Sequence, residues 1–335
     1  MSEPKYREIL PGIFELFLPL PMRPTIVNTY LVRCNGEWVL VDTGVGSPES
    51  LSTWEALLRA IGCPPAEIST IVCTHHHPDH FGASRALKEK TGARLLVHSL
   101  EFDRSRTFAS RDRPPEAIAF FRANGIPLER LPRVPSQGEF WSQLYAPGEP
   151  DGFLEDGQVL EVGKREFRIV WTPGHAPGHC VVHLPRERVL VVGDHLLPKI
   201  TPHVGWFPNG PPDPLGDFLD SQRKVASLDD VDFVLPAHGP VYTDHRRRAA
   251  QIIQHHDYRM REILDVIRKR PKPAYEIASR VFDFTPESPL TVQFPATFET
   301  LAHLRHMMRL GQVECEERDG LVLYVAKGAK ESTVL

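Results

Sequence analysis

The chain has 335 residues, 41% of them hydrophobic, and a formal net charge of −4. That length supports one large core and a smaller one, and the charge gives no overall drive toward nucleic acid or an anionic membrane. The N-terminus lacks a secretory pattern, no apolar run reaches the roughly 18 residues of a membrane span, and five scattered cysteines (Cys34, Cys63, Cys73, Cys180, Cys315) without a C-x-x-C pair predict reduced thiols in a cytoplasmic protein.

Asn28 to Arg33 and Glu37 to Gly44 read as strands joined by a turn at Asn35-Gly36. Apolar spacing at Leu51, Trp54, Leu57, Leu58 and Ile61 predicts a helix over Ser50 to Gly62. Ile68 to Thr74 is a strand run. A helix then starts at Asp79, passes through Phe81, Ala83, Ala86 and Leu87, and stops at Gly92. Ala93 to His98 is the next strand. From about residue 99 to 157, helical pieces alternate with prolines, and Phe102, Phe108, Phe120, Phe121, Phe140, Trp141 and Tyr145 recur. This stretch reads as an insertion that can cover a site. Strands resume between Gln158 and His195. A loop stiffened by six prolines, Pro198 to Pro214, leads to a helix over Leu215 to Leu228 and then to the strand run "DFVLPAHGP".

Beyond Thr243 the pattern changes. Ala249, Ile252, Ile253, His256, Met260, Ile263, Leu264 and Ile267 predict one long amphipathic helix ending near Arg270. Two further helices follow, then a hairpin turning at Asp319-Gly320. Three helices closed by a hairpin form a winged-helix arrangement. The predicted domains are residues 1–245, carrying the 99–157 insertion, and residues 246–335.

The chemistry concentrates in "THHHPDHFG", residues 74–82. In an extended segment His75 and His77 fall on one side, two residues apart. Pro78 breaks that run, and Asp79 and His80 start a helix pointing another way. One loop can therefore offer two ligands to one ion and two to its neighbour, while His76 points away and is expected to be exposed. Three later strand runs end on an ionisable residue: "IVWTPGH" on His175, "VLVVGD" on Asp194 and "FVLPAH" on His238. Strand ends are where layered α/β folds collect ligands.

The set "HHHPDH", "PGHAPGH", "VVGD" and "PAHGP" resembles the metallo-β-lactamase-fold hydrolases over about residues 10 to 245. The resemblance implies an α+β fold, a four-layered αββα sandwich with two divalent metals at the sheet edge. Carried over position by position, His75, His77 and His175 would hold the first metal. Asp79, His80 and His238 would hold the second, with Asp194 bridging. Asp42, in "DTG", would either support the ligands from behind or simply end a strand, and His179 would be structural. Zinc is the default for such a His/Asp set, and manganese or iron also suits it. The true zinc β-lactamases carry cysteine where Asp194 stands, which argues against antibiotic hydrolysis. "AHGPVYTDHRRRAAQIIQHHDYRMREIL" resembles the domain join of the β-lactamase-like proteins with a C-terminal winged helix, a group that includes thioesterases and an endoribonuclease.

Two such cations would lower the pKa of a bridging water to about 7, so no serine or cysteine nucleophile is required. No G-x-S-x-G elbow occurs in the sequence. In that mechanism Asp194 holds the metals together and Asp79 accepts the proton. An acyl hydrolase needs an apolar pocket, which the aromatic insertion and the loop "GWFPNGPP", with Trp206 and Phe207, suit. A nuclease needs a basic path. His245 to Lys272 carries nine Lys/Arg against three Asp/Glu, but Pro273 to Leu335 carries six against nine, and that acidic wing would repel phosphates. The sequence therefore favours hydrolysis of an ester, thioester or lactone in a small-molecule acyl substrate. A metal-dependent endoribonuclease comes second and a non-catalytic winged-helix regulator third. A glyoxalase II activity lacks recognisable glutathione-binding residues. A homo-oligomer is compatible with all three.

Overall fold

The computed structural model describes residues 4–108, 115–127 and 144–328. The chain divides into two compact units. The first comprises Met1–Arg111, Ser136–Pro202 and Lys224–Ala249; the second gathers Asp112–Pro135, His203–Arg223 and Ala250–Leu335.

In the first unit, β1 (Tyr6–Leu10), β2 (Ile13–Pro19), β3 (Ile26–Arg33) and β4 (Trp38–Val41) pair antiparallel in sequence order. The same sheet continues in parallel through β5 (Ile68–Val72), β6 (Arg94–His98) and β7 (Gly152–Leu154). The parallel joins need crossovers, supplied by α1 (Pro48–Ile61) between β4 and β5, and by α2 (Pro78–Phe81) and α3 (Ser84–Thr91) between β5 and β6. A second sheet has the order β12 (Phe233–Pro236), β11 (Val189–Gly193), β10 (Cys180–Leu184), β9 (Arg165–Trp171), β8 (Val159–Val162), with only β11 and β12 parallel.

Alternation along the strands explains the layering. Leu31, Leu40, Ile71, Leu95 and Val97 pack with Trp54, Leu57, Leu58 and Leu87 of the crossover helices. Their neighbours Tyr30, Val32, Val39, Val41, Val72 and Leu96 turn the other way and meet Phe167, Ile169, Val182, Leu184, Val189, Val191 and Leu235 of the second sheet. One sheet face therefore packs on helices and the other on a second sheet.

Local signals set most boundaries. The Ser47 side chain accepts the Ser50 N–H to cap α1, and Gly62 closes that helix at φ 76°. The turn after β3 places Asn35 and Gly36 at φ 54° and 101°, the mirror-image geometry that an Asn-Gly pair allows. The helix expected from Asp79 onward is instead two. Ala83 N–H bonds to Gly44 O at 2.9 Å, and Gly82 O accepts from Ala146 N–H at 2.9 Å, so these backbone groups leave the helical ladder. A side chain at Gly82 would come within 2.6 Å of Leu144 O. The strands β1 and β2 were not expected from the sequence.

Within the 99–157 stretch, α4 (Ser99–Phe108) and α5 (Pro115–Ala123) are helical. Phe140 and Trp141, and the side chain of Phe108, lie outside the described residues. The helix α6 runs over Pro214–Ala226, two residues short of the predicted end. The long helix α7 (His245–Ile267) stops three residues before Arg270. It is followed by a short β13 (Lys272–Pro273), α8 (Ala274–Val281), α9 (Leu290–Arg309) and the hairpin β14 (Val313–Arg318) and β15 (Leu321–Ala326). Asp319 and Gly320 turn that hairpin at φ 52° and 76°. The sheet order is β13, β15, β14, and the addition of β13 was not anticipated. Met260, Ile263, Ile277, Phe298, Leu301, Leu304 and Tyr324 form the core of the second unit. Trp206 and Phe207 belong to that unit: Trp206 N–H bonds to Phe298 O at 3.0 Å, and the Phe207 and Phe298 rings lie 4.4 Å apart. No described helix is long and apolar enough to cross a membrane.

Candidate metal centre

The seven expected side chains all belong to the first unit, and the fold brings them together in two adjoining groups. Donor atoms of His75, His77, His175 and Asp194 lie within 4.8 Å of one another, as do those of Asp79, His80 and His238. The loop after β5 and the start of α2 deliver residues 75–80. The ends of β9, β11 and β12 lead to His175, Asp194 and His238. Gly193 permits the delivery of Asp194. It sits at φ 49°, and a side chain there would come within 2.8 Å of His179 Nε2 and 2.9 Å of Thr74 Oγ1.

In the first group three ring nitrogens converge. His75 Nε2 lies 2.9 Å from His77 Nδ1 and 3.3 Å from His175 Nε2, and His175 Nε2 lies 3.0 Å from His77 Nδ1. Three neutral imidazoles facing one point have more lone pairs than protons to share. Nitrogens about 2.05 Å from a tetrahedral zinc stand about 3.3 Å apart, so separations of 2.9 to 3.3 Å fit three ligands on one ion with little rearrangement. Burial, followed by the neighbouring histidines, holds His75 and His77 well below the usual histidine range, so both rings are neutral donors.

In the second group His238 Nε2 lies 3.1 Å from Asp79 Oδ2, and His80 Nε2 lies 3.7 Å from the same oxygen. Asp194 faces both groups. Its Oδ2 is 3.6 Å from His175 Nε2 and 3.6 Å from His80 Nε2, and its Oδ1 is 3.6 Å from His238 Nε2. His80 Nε2 and Asp194 Oδ1 are buried without a hydrogen-bond partner. Buried polar atoms are rarely left so, because the lost hydration costs about 1–3 kcal/mol each. Burial alone would lower the His80 pKa and raise that of Asp194, but their mutual attraction and the charges of Asp79, Asp42 and His238 reverse both shifts. The donor set and its orphaned atoms fit two divalent cations.

Supporting contacts fix the ring orientations. Asp42 Oδ2 accepts from His80 Nδ1 at 2.8 Å and from Thr74 Oγ1 at 2.9 Å, while its Oδ1 accepts the Thr74 N–H at 2.7 Å. With its hydroxyl proton on Asp42, Thr74 Oγ1 accepts from His75 Nδ1 at 3.1 Å. These bonds leave Nε2 of both His75 and His80 as the free donor. His179, fully buried, pairs through Nδ1 with Thr172 Oγ1 at 2.8 Å.

His76 corrects an expectation: it is 9% exposed and pairs through Nδ1 with Glu101. Glu101, fully buried at the start of α4, had no signal in the sequence beyond lying three residues past the end of β6. Thr74 and Thr172 were also missed, since a threonine at a strand end has no distinguishing pattern.

The family model of the metallo-beta-lactamase superfamily matches residues 22–238, the span that holds every one of these side chains. The chain belongs to the metallo-beta-lactamase superfamily. A crystal structure of a metallo-beta-lactamase family protein from Thermus thermophilus is 33% identical and superposes at a TM-score of 0.80 over 96% of this chain and 100% of that one. A beta-lactamase domain protein from Burkholderia ambifaria is 29% identical, with a TM-score of 0.86 over 97% and 95%. A Caenorhabditis elegans beta-lactamase-like protein 2 homolog is 24% identical over 88% of this chain and 83% of that protein. The atrochrysone carboxyl ACP thioesterase of Aspergillus fumigatus is 25% identical over 71% of this chain and 58% of its own length, so this superfamily member spans under two thirds of that fungal relative. Superfamily members are hydrolases, and the fold implies divalent metal binding.

Proposed function

We propose that this superfamily member is a dinuclear-metal hydrolase of an ester, thioester or lactone. The observation that carries the reading is the convergence of His75, His77 and His175 beside Asp79, His80 and His238, with Asp194 facing both groups. The name of the fungal thioesterase relative supports an acyl substrate. The proposed architecture is a four-layered αββα sandwich for residues 1–245 and a winged helix within 246–335.

When bound, two divalent cations supply Lewis acidity and a water acidified into the neutral range. His75, His77 and His175 would hold one cation, Asp79, His80 and His238 the other, and Asp194 would touch both. Zinc suits the set best, and manganese or iron also fits. Asp42 keeps the proton of His80 on Nδ1, so that Nε2 stays available. Asp79, whose Oδ2 lies 3.1 Å from His238 Nε2, would take the proton of the attacking water.

The test is a hydrolysis comparison on zinc-loaded protein. Acyl thioesters, simple esters and lactones form one arm and labelled single-stranded RNA the other, with His77→Ala as the contamination control. The expected result is metal-dependent acyl hydrolysis, abolished in His77→Ala, with RNA intact. RNA cleavage lost in His77→Ala, with acyl substrates untouched, would replace this reading with the endoribonuclease.

A further inference from the structure

Four of the seven converging side chains ride on one segment, residues 75–80, made of the loop after β5 and the start of α2, and His175 rides on a loop after β9. Glu101 touches both loops. It is fully buried. Its Oε2 accepts the backbone N–H of His76 at 2.8 Å and lies 2.5 Å from His76 Nδ1. Its Oε1 accepts the backbone N–H of Gly178 at 2.5 Å. His76 stands between His75 and His77, and Gly178 follows His175 by three positions.

We propose that Glu101 is a positioning residue for the three-histidine group. Each carboxylate oxygen holds one loop, and the rigid carboxyl between them sets how closely His75 and His77 approach His175. The inference rests on the reading of that group as a metal site.

The chemistry singles out a carboxylate. Glu101 faces three donors, and an ionised carboxyl is the side chain that accepts through both ends and donates through neither. Without such partners a buried charge is costly; with three it is held. Glutamine has nearly the same shape but must turn its amide N–H toward one backbone N–H, which releases one loop. The approach is also tight from the other side. A side chain at Gly178 would come within 3.0 Å of Glu101 Cγ and 2.6 Å of His98 Nδ1, so the loop backbone lies directly against the glutamate stem.

The experiment titrates metal-free wild type and Glu101→Gln with cobalt(II) against a competing chelator, followed by absorption, and melts both metal-free proteins. The expected result is two binding steps in wild type. In Glu101→Gln the affinity of the three-histidine step falls about 10- to 100-fold, as for other partners that orient metal ligands, while the other step stays within about threefold. His76→Ala, which keeps its backbone N–H for Glu101, should lose less at the same step, and it carries the test if Glu101→Gln does not fold. Unchanged affinities at both steps in a folded variant would overturn the proposal. So would equal weakening of both steps together with a lowered metal-free melting temperature, the mark of a merely structural role. Failure of wild type itself to bind cobalt would instead overturn the metal reading.

Discussion

Asp42 Oδ2 accepts the Nδ1 proton of His80 at 2.8 Å, with both residues buried. The same Asp42 carboxylate also accepts two hydrogen bonds from Thr74, and it does so from a left-handed backbone conformation, φ 64°. Aspartate tolerates that conformation better than most residues, so the strand-end turn and the support of His80 are one feature rather than alternatives. The neighbouring carbonyl, Thr43 O, accepts from Trp54 Nε1 at 2.8 Å, which ties the turn to the helical layer.

Asp42→Asn should keep the fold, because the shape is preserved, but its amide opposes either the Thr74 N–H or the His80 Nδ1–H. Metal retained after dialysis and the hydrolytic rate at saturating metal are the measurements. The expected loss in metal affinity is on the order of 10- to 100-fold. Wild-type retention and rate would remove Asp42 from the account.

Asp194 is the side chain that faces both groups, so its loss should be felt by both. Asp194→Ala is expected to hold about one metal equivalent or less where wild type is expected to hold two, with hydrolysis reduced on the order of a hundredfold or more. Elemental analysis of dialysed protein reads the first effect and initial rates the second. Two equivalents at an unchanged rate would rule out the bridging role.

Among the five cysteines, Cys34, Cys63, Cys73 and Cys180 are buried and Cys315 is exposed. Burial raises the thiol pKa at all four buried positions, to about 12 at Cys34 and Cys63. A thiol reagent such as DTNB should therefore modify about one thiol per native chain and five after denaturation. Fast modification of more than one thiol in the native protein would contradict this burial.

Glu299, on α9, sits with ligand atoms of His255 and His256 within 4.8 Å in the second unit, and burial pushes its carboxyl up to about 7, against the pull of Arg259. The folded state thus binds this proton more tightly than the unfolded chain, whose glutamate titrates near 4.5. Stability from this group is full at pH 4 and is lost as pH rises through 7. Glu299→Gln should therefore melt with wild type near pH 4.5 and above it at pH 8, by no more than about 3 kcal/mol. Melting curves at the two pH values decide it, and a variant less stable than wild type at pH 8 would contradict the assignment.

The converging side chains were legible in the sequence because most of them follow strand ends, and strand ends are visible as apolar runs that stop. The run "HHHPDH" named four of them, and "TPGH", "VVGD" and "PAHGP" supplied the others. What supports them was not legible. Glu101 and Thr74 gain their meaning only from what they touch, and His76 looked exposed because two-residue alternation says which way a ring points but not what waits there. The hairpins at Asn35-Gly36 and Asp319-Gly320 were clear because positive φ at two successive residues demands that composition. The break between α2 and α3 was not, since it comes from long-range bonds of Gly82 and Ala83 to backbone at Ala146 and Gly44. Likewise nothing local reveals that residues 203–223 group with the C-terminal segment.

The most direct test of the two-metal reading is crystallographic. Crystals of zinc-loaded protein, measured on both sides of the zinc absorption edge, should show two anomalous peaks about 3.5–4 Å apart. One peak should lie among His75 Nε2, His77 Nδ1 and His175 Nε2, the other among Asp79, His80 Nε2 and His238 Nε2, with the Asp194 carboxylate reaching both. A single peak, or none at these nitrogens in protein that still hydrolyses its substrate, would contradict the account.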